Sequence, residues 1–323
     1  MRLGVVVPCH RQERHLPRTL AALGRALEGR DWQGVVVRTG GGPAPEPHPQ
    51  WLQSSPPALQ VSTPGASRMH GLSLLAGEWI LFVDADTEVD AAWLARALAT
   101  ATAAEAGLAG VGGRLEEWNE VAGAERCADP DMNRVGDAER EVPLLTTPVL
   151  YRRAALEAVG GYDVRLSAEE DFELGMRLGR SGYRLRVVPG PAARHWNDPR
   201  PSFAELARRW RSGLAFGPGQ ALRLYVGRPG FARLAARQWF AWFALVFWLA
   251  GGVALVASLA SRSPLAVAAW SAALLLMLLA LAFRKRSARL GLHAWLAWTL
   301  GAAGLVAGFL GFGGARTAAQ RTS

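Results

Sequence analysis

Three long apolar segments near the end of the chain constrain its fold more than any other feature. They cover residues 238–260, 264–283 and 292–312, and each is long enough for a helix to cross the roughly 30 Å hydrocarbon core of a bilayer. Indole side chains commonly anchor helices at membrane surfaces, and four tryptophans lie near the expected surfaces: Trp239, Trp242, Trp295 and Trp298. The sequence therefore predicts a transmembrane anchor of three helices over residues 238–323.

The segment before this anchor has the pattern of an amphipathic helix. Phe203, Leu206, Trp210 and Leu214 share one helical face, and arginines occupy the other faces. Such a basic amphipathic helix is expected to lie in the membrane interface, within a segment that covers residues 201–237. The alternative is a helix that is solvated or packs against a domain.

Charge is distributed unevenly along the chain. Glu205 is the last acidic residue, and fourteen of the 36 lysines and arginines follow it. Residues 1–205 therefore hold 22 basic and 27 acidic residues, a net charge of −5, whereas residues 206–323 carry +14. The overall charge of +9 thus describes a basic, membrane-associated part beside a mildly acidic domain, and it gives no reason to expect nucleic acid as a partner.

A basic loop between the second and third apolar segments predicts the orientation of the anchor. It holds an Arg-Lys-Arg run at 284–286 together with Arg289, and short loops rich in basic residues face the cytoplasm. We therefore expect a multi-pass protein of the inner (cytoplasmic) cell membrane, with its N-terminal domain in the cytoplasm and its C-terminus outside. The first apolar run is too short for a signal peptide, and Cys9 and Cys127 lack a pairing pattern, which fits a reducing compartment.

Residues 1–200 alternate short β-branched runs with helical patterns. Strands are predicted at residues 3–10, 35–37, 80–83, 108–113 and 183–188, and helices at residues 16–27, 65–76, 90–104, 151–159 and 169–180. This alternation predicts an α/β domain with a mostly parallel sheet and helices on both faces. Residues 114–147 show no clear periodicity and are predicted to be irregular.

Two carboxylates follow the run at 80–83, which is apolar enough to be a strand buried on both faces. Asp84 and Asp86 would lie at the carboxyl end of this strand, the edge of an open α/β sheet where ligands bind. Neighbouring carboxylates repel each other unless a cation lies between them, and a hard divalent ion that bridges to substrate phosphates would remove the repulsion. On spacing alone, a solvated turn or a helix cap remains an alternative.

Four segments, in order, resemble the inverting glycosyltransferases of family 2, which have the GT-A fold. The resemblance covers about residues 2–200. It is carried by residues 5–13, by residues 68–72 with 76–86, by residues 151–163, and by residues 168–178 with 182–185. It implies a transferase that moves a sugar from a nucleoside-diphosphate sugar.

The resemblance also implies which residues would hold the donor. Pro8, His10 and Glu13 lie in the segment similar to the opening strand and its nucleotide-contacting turn, and His10 would stack near the base. Arg68 would reach the nucleotide, and Asp84 would contact the ribose or support the metal.

The metal and the catalytic base follow from the same resemblance. Asp86 would bind a Mg²⁺ or Mn²⁺ ion that bridges the donor's diphosphate, and His195 would approach the metal or the diphosphate. Asp171 would be the general base, with Glu170 beside it. Each residue type also has a purely structural alternative: a helix cap for Asp171, a packed loop residue for His195, and a surface ion pair for Arg68.

The sequence departs from the family at three places. Arg38 and Thr39 follow the second strand, where the family usually has acidic residues that read the base. Met69 stands where the family has Asn. Processive members carry Gln-x-x-Arg-Trp on the amphipathic helix, whereas residues 206–210 begin with Leu206, which favours the transfer of a single sugar.

The sequence thus predicts a membrane-anchored, inverting, metal-dependent glycosyltransferase that acts at the cytoplasmic membrane face. Its acceptor is expected to be lipid-linked or amphiphilic because the interfacial helix would hold the active site at the bilayer surface. Two alternatives remain open. One is a polysaccharide-building transferase of the same fold, and the other is a catalytically silent membrane protein that binds a nucleotide sugar or a partner.

Overall fold

The computed structural model describes residues 2–10, 12, 14–39, 50–55, 63–121, 123–197 and 203–311. The described residues divide into two compact units, one within residues 2–197 and the other covering residues 203–311. The first unit combines a large sheet with helices, and the second unit is helical.

The first half of the first unit contains the strands and helices that the sequence predicts, together with two additional short strands, the third and the fifth along the chain. In chain order they are β1 (Leu3–Cys9), α1 (Leu16–Ala26), β2 (Trp32–Arg38), β3 (Trp51–Ser54), α2 (Pro64–Leu74), β4 (Trp79–Phe82), β5 (Thr87–Val89) and α3 (Ala91–Ala103). The second half continues with β6 (Leu108–Val121), β7 (Ala124–Asp129), β8 (Arg140–Glu141), β9 (Val149–Arg152), α4 (Arg153–Val159), α5 (Glu170–Arg180) and β10 (Arg184–Asn197).

One mixed sheet contains these ten strands. The strand order is β3-β2-β1-β4-β9-β6-β10-β5, with β7 paired to β6 and β8 paired to β10. Strands β2, β1 and β4 are parallel, as the βα alternation predicts, and the unpredicted strand β3 is also parallel to β2. Strand β9 lies antiparallel between β4 and β6, so the C-terminal part of the sheet is mixed.

Helices cover both faces of the sheet. On one face, Val5 and Val7 of β1 pack in a core with Leu23 of α1 and Leu94 of α3. Because side chains alternate along a strand, Val6 points to the other face, where a second core includes side chains of α2, α4 and α5. The predicted α/β architecture with two covered faces is confirmed.

The sheet differs from the sequence prediction at several places, and the short strands β3, β5 and β8 were not predicted. Residues 149–152 form the strand β9, so the helix that was predicted from residue 151 begins at Arg153. Within residues 114–147, β6 continues to Val121 and forms a hairpin with β7, and nearly every described residue of β7 is exposed. Exposure on both faces removes the alternation of polar and apolar residues by which a strand is recognised. Strand β10 continues through Pro189 and Pro191 by means of register shifts.

The second unit begins with short helices and ends with three long ones. They are α6 (Phe203–Arg211), a 3₁₀ turn (Leu214–Phe216), α7 (Gly217–Leu224), α8 (Phe231–Arg237), α9 (Trp239–Ser261), α10 (Leu265–Lys285) and α11 (Ala288–Gly311). The last three, of 23, 21 and 24 residues, are long and apolar enough to cross a membrane. Helix α11 starts four residues before the predicted segment, and residue 312 lies outside the described part of the chain.

Glycines bring α7 and the 3₁₀ turn against α11. A side chain at Gly219 would collide with the carbonyl of Leu305. Gly304 and Gly308 face the carbonyls of the 3₁₀ turn in the same way. These helices therefore pack backbone to backbone, a contact that small residues permit.

Candidate active site

The Asp84–Asp86 segment forms a tight turn at the carboxyl end of β4. The amide of Thr87 donates to the carbonyl of Asp84 at 3.1 Å and so closes the turn. The buried hydroxyl of Thr19, on α1, donates to the carbonyl of Ala85 at 2.8 Å and accepts from the amide of Thr87 at 3.1 Å. Helix α1 therefore fixes the turn that presents the two carboxylates.

The pairing of β10 with β5 places His195 beside Asp86. His195 is opposite Thr87 in the antiparallel register, and the amide of Trp196 donates to the carbonyl of Asp86 at 2.8 Å. The imidazole Nε2 lies 3.4 Å from Oδ2 of Asp86, and the side-chain amide of Gln12 donates to the same oxygen. A carboxylate oxygen and an imidazole nitrogen thus converge, although more than 100 residues separate them in the sequence.

Asp86 and His195 supply two ligand atoms, which fits a divalent ion that takes most of its other ligands from the enzyme's substrate. Within the described ranges, no group of three or more His, Cys, Asp or Glu side chains is placed to hold a metal by itself. Mg²⁺ commonly binds through one or two carboxylates and substrate phosphates, and its remaining ligands are waters. Asp86 with His195 matches this partial protein shell, and Mn²⁺ accepts both oxygen and imidazole ligands.

Arg68 connects the carboxylate turn to the start of α5. Its guanidinium donates to Asp84 at 3.0 Å and to Glu170 at 2.7 Å, and it lies 3.9 Å from Oδ1 of Asp171. The side chain is 4% exposed, so Arg68 is a buried bridge and not the surface ion pair of the structural alternative. Burial lowers the pKa of Arg68, but the charges of Asp84 and Asp171 outweigh this effect and raise the pKa well above its ordinary value.

Asp171 lies in the first turn of α5, one residue beyond the buried Glu170. The residue that caps this helix is Glu169, which has a left-handed backbone with φ of 69°, so Asp171 is not the cap. Burial raises the pKa of Asp171 to about 7, Arg68 opposes this shift, and the nearby charges of Glu170 and Asp84 add to it. One guanidinium therefore lies close to two acidic segments that are far apart in the sequence, the Asp84–Asp86 turn and the start of α5.

The residues predicted to contact the nucleotide lie at the same edge of the sheet. Pro8 is half-buried near the end of β1. His10 is exposed just beyond β1, and its Nδ1 lies 3.1 Å from the hydroxyl of Thr39, which follows β2. Glu13 lies outside the described residues. The β1 and β2 ends meet here because parallel strands end at one edge, and Arg38-Thr39 occupies the place where the family has acids.

Four residues of the site were not predicted from the sequence. Gln12 and Thr19 support the Asp84–Thr87 turn, the hydroxyl of Thr147 donates to Asp84, and the ring of Tyr162 lies 5.2 Å from the Arg68 guanidinium carbon. Gln12 and Tyr162 lie inside segments that carry the family resemblance, which is the signal that could have identified them. Thr19 occupies a helical pattern and Thr147 an aperiodic segment, and neither has a signal of its own.

The sheet order, the two-sided helical cover and the acidic edge define a GT-A type of glycosyltransferase domain. The chain belongs to glycosyl transferase family group 2, whose family model matches residues 79–285. A second model, glycosyl transferase family 2, matches residues 4–126.

Comparisons with individual proteins agree with this family. Pre-mycofactocin glycosyltransferase of Mycobacterium tuberculosis is 28% identical over 177 residues, which is 51% of this chain and 36% of that protein. The chain thus matches about a third of the length of its curated relatives.

Among solved structures, the mannosyltransferase PcManGT from Pyrobaculum calidifontis, in complex with GDP-Man and Mn²⁺, aligns with a TM-score of 0.58. The sequence identity is 19%, and the alignment covers 95% of this chain and 86% of that one, which shows a common fold. S. aureus TarS 1-349 in complex with UDP-GlcNAc aligns with a TM-score of 0.48 at 19% identity, over 69% of this chain and 65% of that chain.

Proposed function

We propose that the protein is a membrane-anchored, inverting glycosyltransferase that moves a sugar from a nucleoside-diphosphate sugar to a lipid-linked or amphiphilic acceptor. The observation that carries the proposal is the Arg68 bridge, which brings the Asp84–Asp86 turn and Asp171 to one edge of the sheet. The relative PcManGT, whose complex contains GDP-Man and Mn²⁺, supports a nucleotide sugar and a divalent ion as ligands of this edge.

The donor site would be formed by the turn after β4 and the ends of β1 and β2. Asp86 and His195 would hold Mg²⁺ or Mn²⁺ against the donor's diphosphate, and such an ion stabilises negative charge on a departing phosphate. Asp84, held by Arg68 and Thr147, would contact the ribose or support the metal. His10 would lie near the base, beside Thr39.

Asp171 would be the general base. The acceptor oxygen attacks C1 of the sugar, the bond from C1 to the diphosphate oxygen breaks, and the hydroxyl proton passes to the Asp171 carboxylate. A single displacement inverts the configuration at C1. Burial raises the pKa of Asp171 to about 7, and a carboxylate with a raised pKa is a more effective general base at neutral pH.

Glu170 would act through Arg68 rather than on the acceptor. Its carboxylate accepts from Arg68 at 2.7 Å and is buried, so it is already used in an ion pair. This assigns Glu170 a supporting role beside the base.

The second unit would anchor the enzyme with its catalytic unit on the cytoplasmic side. The three long helices support membrane association, and the basic loop after α10 supports this orientation. A lipid acceptor would suit an enzyme held at a bilayer surface by α6, whose arginines and exposed Phe203 and Trp210 form a basic amphipathic pattern.

A transfer assay tests the proposal. The full chain is incubated with Mn²⁺, a panel of nucleotide sugars, and either a membrane lipid extract or water-soluble sugars, and the products are identified by mass spectrometry. We expect one donor to yield a glycosylated lipid with inverted configuration. Equal turnover of soluble acceptors would contradict the lipid acceptor, and the absence of transfer from every donor, without any stabilisation by nucleotides, would favour the silent alternative.

A further inference from the structure

A groove in the second unit combines apolar walls with one cationic side chain. It has a volume of about 270 Å³ and is bordered by Trp239 and Phe243 of α9, by Met277, Ala280 and Arg284 of α10, and by Trp298 of α11. The residues on α10 are spaced i, i+3 and i+7, so they share one face, and this face leads from apolar positions to the charged end of the helix.

The aromatic wall of the groove is well defined. The ring of Trp298 packs edge-on against Trp239 and Phe243, with centroid separations of 5.5 and 6.0 Å. Edge-to-face contacts of this kind fix ring positions as well as adding stability. Trp239 is nevertheless 60% exposed, so the groove is open on one side to whatever surrounds the helices.

The positive charge of the second unit favours the binding of anionic ligands. Residues 206–311 contain twelve basic residues and no acidic one. Glu205, the acidic side chain nearest in sequence, already accepts two hydrogen bonds from Arg208, at 2.5 and 2.6 Å. Arg284 begins a basic cluster that includes Lys285, Arg286 and Arg289, and clusters of this kind beside a membrane helix attract anionic headgroups.

We propose that this groove is a binding site for one anionic glycerophospholipid, with an acyl chain along the apolar wall and the headgroup phosphate on Arg284. Anionic lipids are abundant in the cytoplasmic leaflet, which is the side that the basic cluster is expected to face. The volume is below that of most enclosed small-molecule sites, and it suits part of a single chain rather than a whole ligand. The site is separate from the transfer chemistry and does not depend on it.

Lipid retention by the full chain tests this site. The protein is extracted from membranes in mild detergent, purified, and its bound lipids are identified by mass spectrometry. We expect about one anionic glycerophospholipid per chain, and we expect Arg284→Gln to reduce its amount about tenfold. Arg262→Gln, which removes a cation from the α9–α10 turn, is the matched control and should retain the lipid.

A second pair of variants tests the groove without changing its charge. Ala280→Phe fills the groove and should also displace the lipid, whereas Ala272→Phe adds the same ring at an exposed position of the same helix and should not. Thermal unfolding of each variant in phosphatidylcholine nanodiscs establishes that it is folded. Equal retention by wild type, Arg284→Gln and Ala280→Phe would overturn the proposal, as would a polyprenyl phosphate or a zwitterionic lipid as the retained species.

Discussion

Arg68 is the residue on which the geometry of the candidate active site depends. One buried guanidinium contacts Asp84 and Glu170 and lies 3.9 Å from Asp171. A buried cation requires such partners, because a charge without them loses its hydration and gains nothing in exchange. The Arg68 side chain therefore fixes the position of the Asp84–Asp86 turn relative to Asp171.

Replacing the proposed base should separate binding from chemistry. We expect Asp171→Asn to retain donor binding and to lower kcat by about 10²-fold or more, the scale of a lost general base. Asp163→Asn is the control, since the Asp163 carboxylate bonds Arg165 rather than Arg68. Steady-state kinetics check both variants, and wild-type turnover in Asp171→Asn would remove Asp171 from this role.

The raised pKa of Asp171 predicts how stability changes with pH. Its folded-state pKa of about 7 lies above the ordinary value, so its contribution to stability is complete below pH of about 4 and is lost as the pH rises through 7. The Tm of Asp171→Asn relative to wild type should therefore be higher at pH 8 than at pH 5.

Asp163→Asn is again the control, here for the pH dependence of the Tm. Burial raises the pKa of Asp163, but the hydrogen bonds and charge of Arg165 outweigh it and leave the pKa below its ordinary value. Its Tm difference from wild type should be the same at pH 5 and pH 8. Parallel pH dependence in the two variants would show that burial of Asp171 is not the cause.

The hydroxyl of Thr19 supports the carboxylate turn from α1. Thr19→Val keeps the shape of the side chain but leaves a buried carbonyl and a buried amide without this partner, so we expect a loss of about 1–3 kcal/mol and lower turnover. Thr102→Val removes a hydroxyl bonded within α3 and should change stability much less. Chemical denaturation checks both, and recovery in Thr19→Ser would identify the hydroxyl as the cause.

Among the elements, sequence patterns predicted those with an uninterrupted apolar run or with apolar residues at helical spacing. Strands β1, β2 and β4 each contain a run of apolar residues, and α1 carries apolar residues at helical spacing. Strand β9 has only four residues directly before α4, so its pattern merges with the helix. The β6–β7 hairpin and the course of β10 depend on pairing between distant strands, which no local window contains.

In the candidate site, too, local motifs predicted some features, whereas others depend on contacts between distant segments. The resemblance to the family proposed Asp84, Asp86, Asp171 and His195 as site residues from local motifs. The antiparallel register of β5 and β10, which brings His195 against Asp86, depends on pairing between distant strands and could not be read from a local motif. The support from Thr19 and Thr147 likewise depends on how α1 and a loop pack on the turn.

The glycine contacts of α11 offer a test of packing in the helical unit. Gly304→Ala would place a methyl group against the carbonyl of Ala215, and overpacking of this kind costs about 1–3 kcal/mol. Gly252→Ala, on α9, meets nothing within 4 Å and should leave stability unchanged or improve it. Thermal unfolding in detergent compares the two, and equal Tm values would contradict the close contact of α11 with the 3₁₀ turn.

At the scale of the whole molecule, the number of sugars transferred distinguishes the main proposal from its nearest alternative. Leu206 replaces the Gln of the processive pattern on α6, so we expect the product to carry one added sugar at all donor concentrations. Mass spectrometry of the product over a time course checks this. A ladder of products that lengthens with time would favour a polysaccharide-building enzyme.

Donor binding by the full chain tests the central claim most directly. Calorimetry with nucleoside diphosphates and their sugars, with and without Mn²⁺, measures whether the ion and the nucleotide share the Asp86 site. We predict Mn²⁺-dependent binding of at least one nucleotide, a loss of about tenfold or more in Asp86→Ala, and wild-type affinity in Asp171→Asn. Binding that is independent of Mn²⁺, or unchanged in Asp86→Ala, would contradict the account.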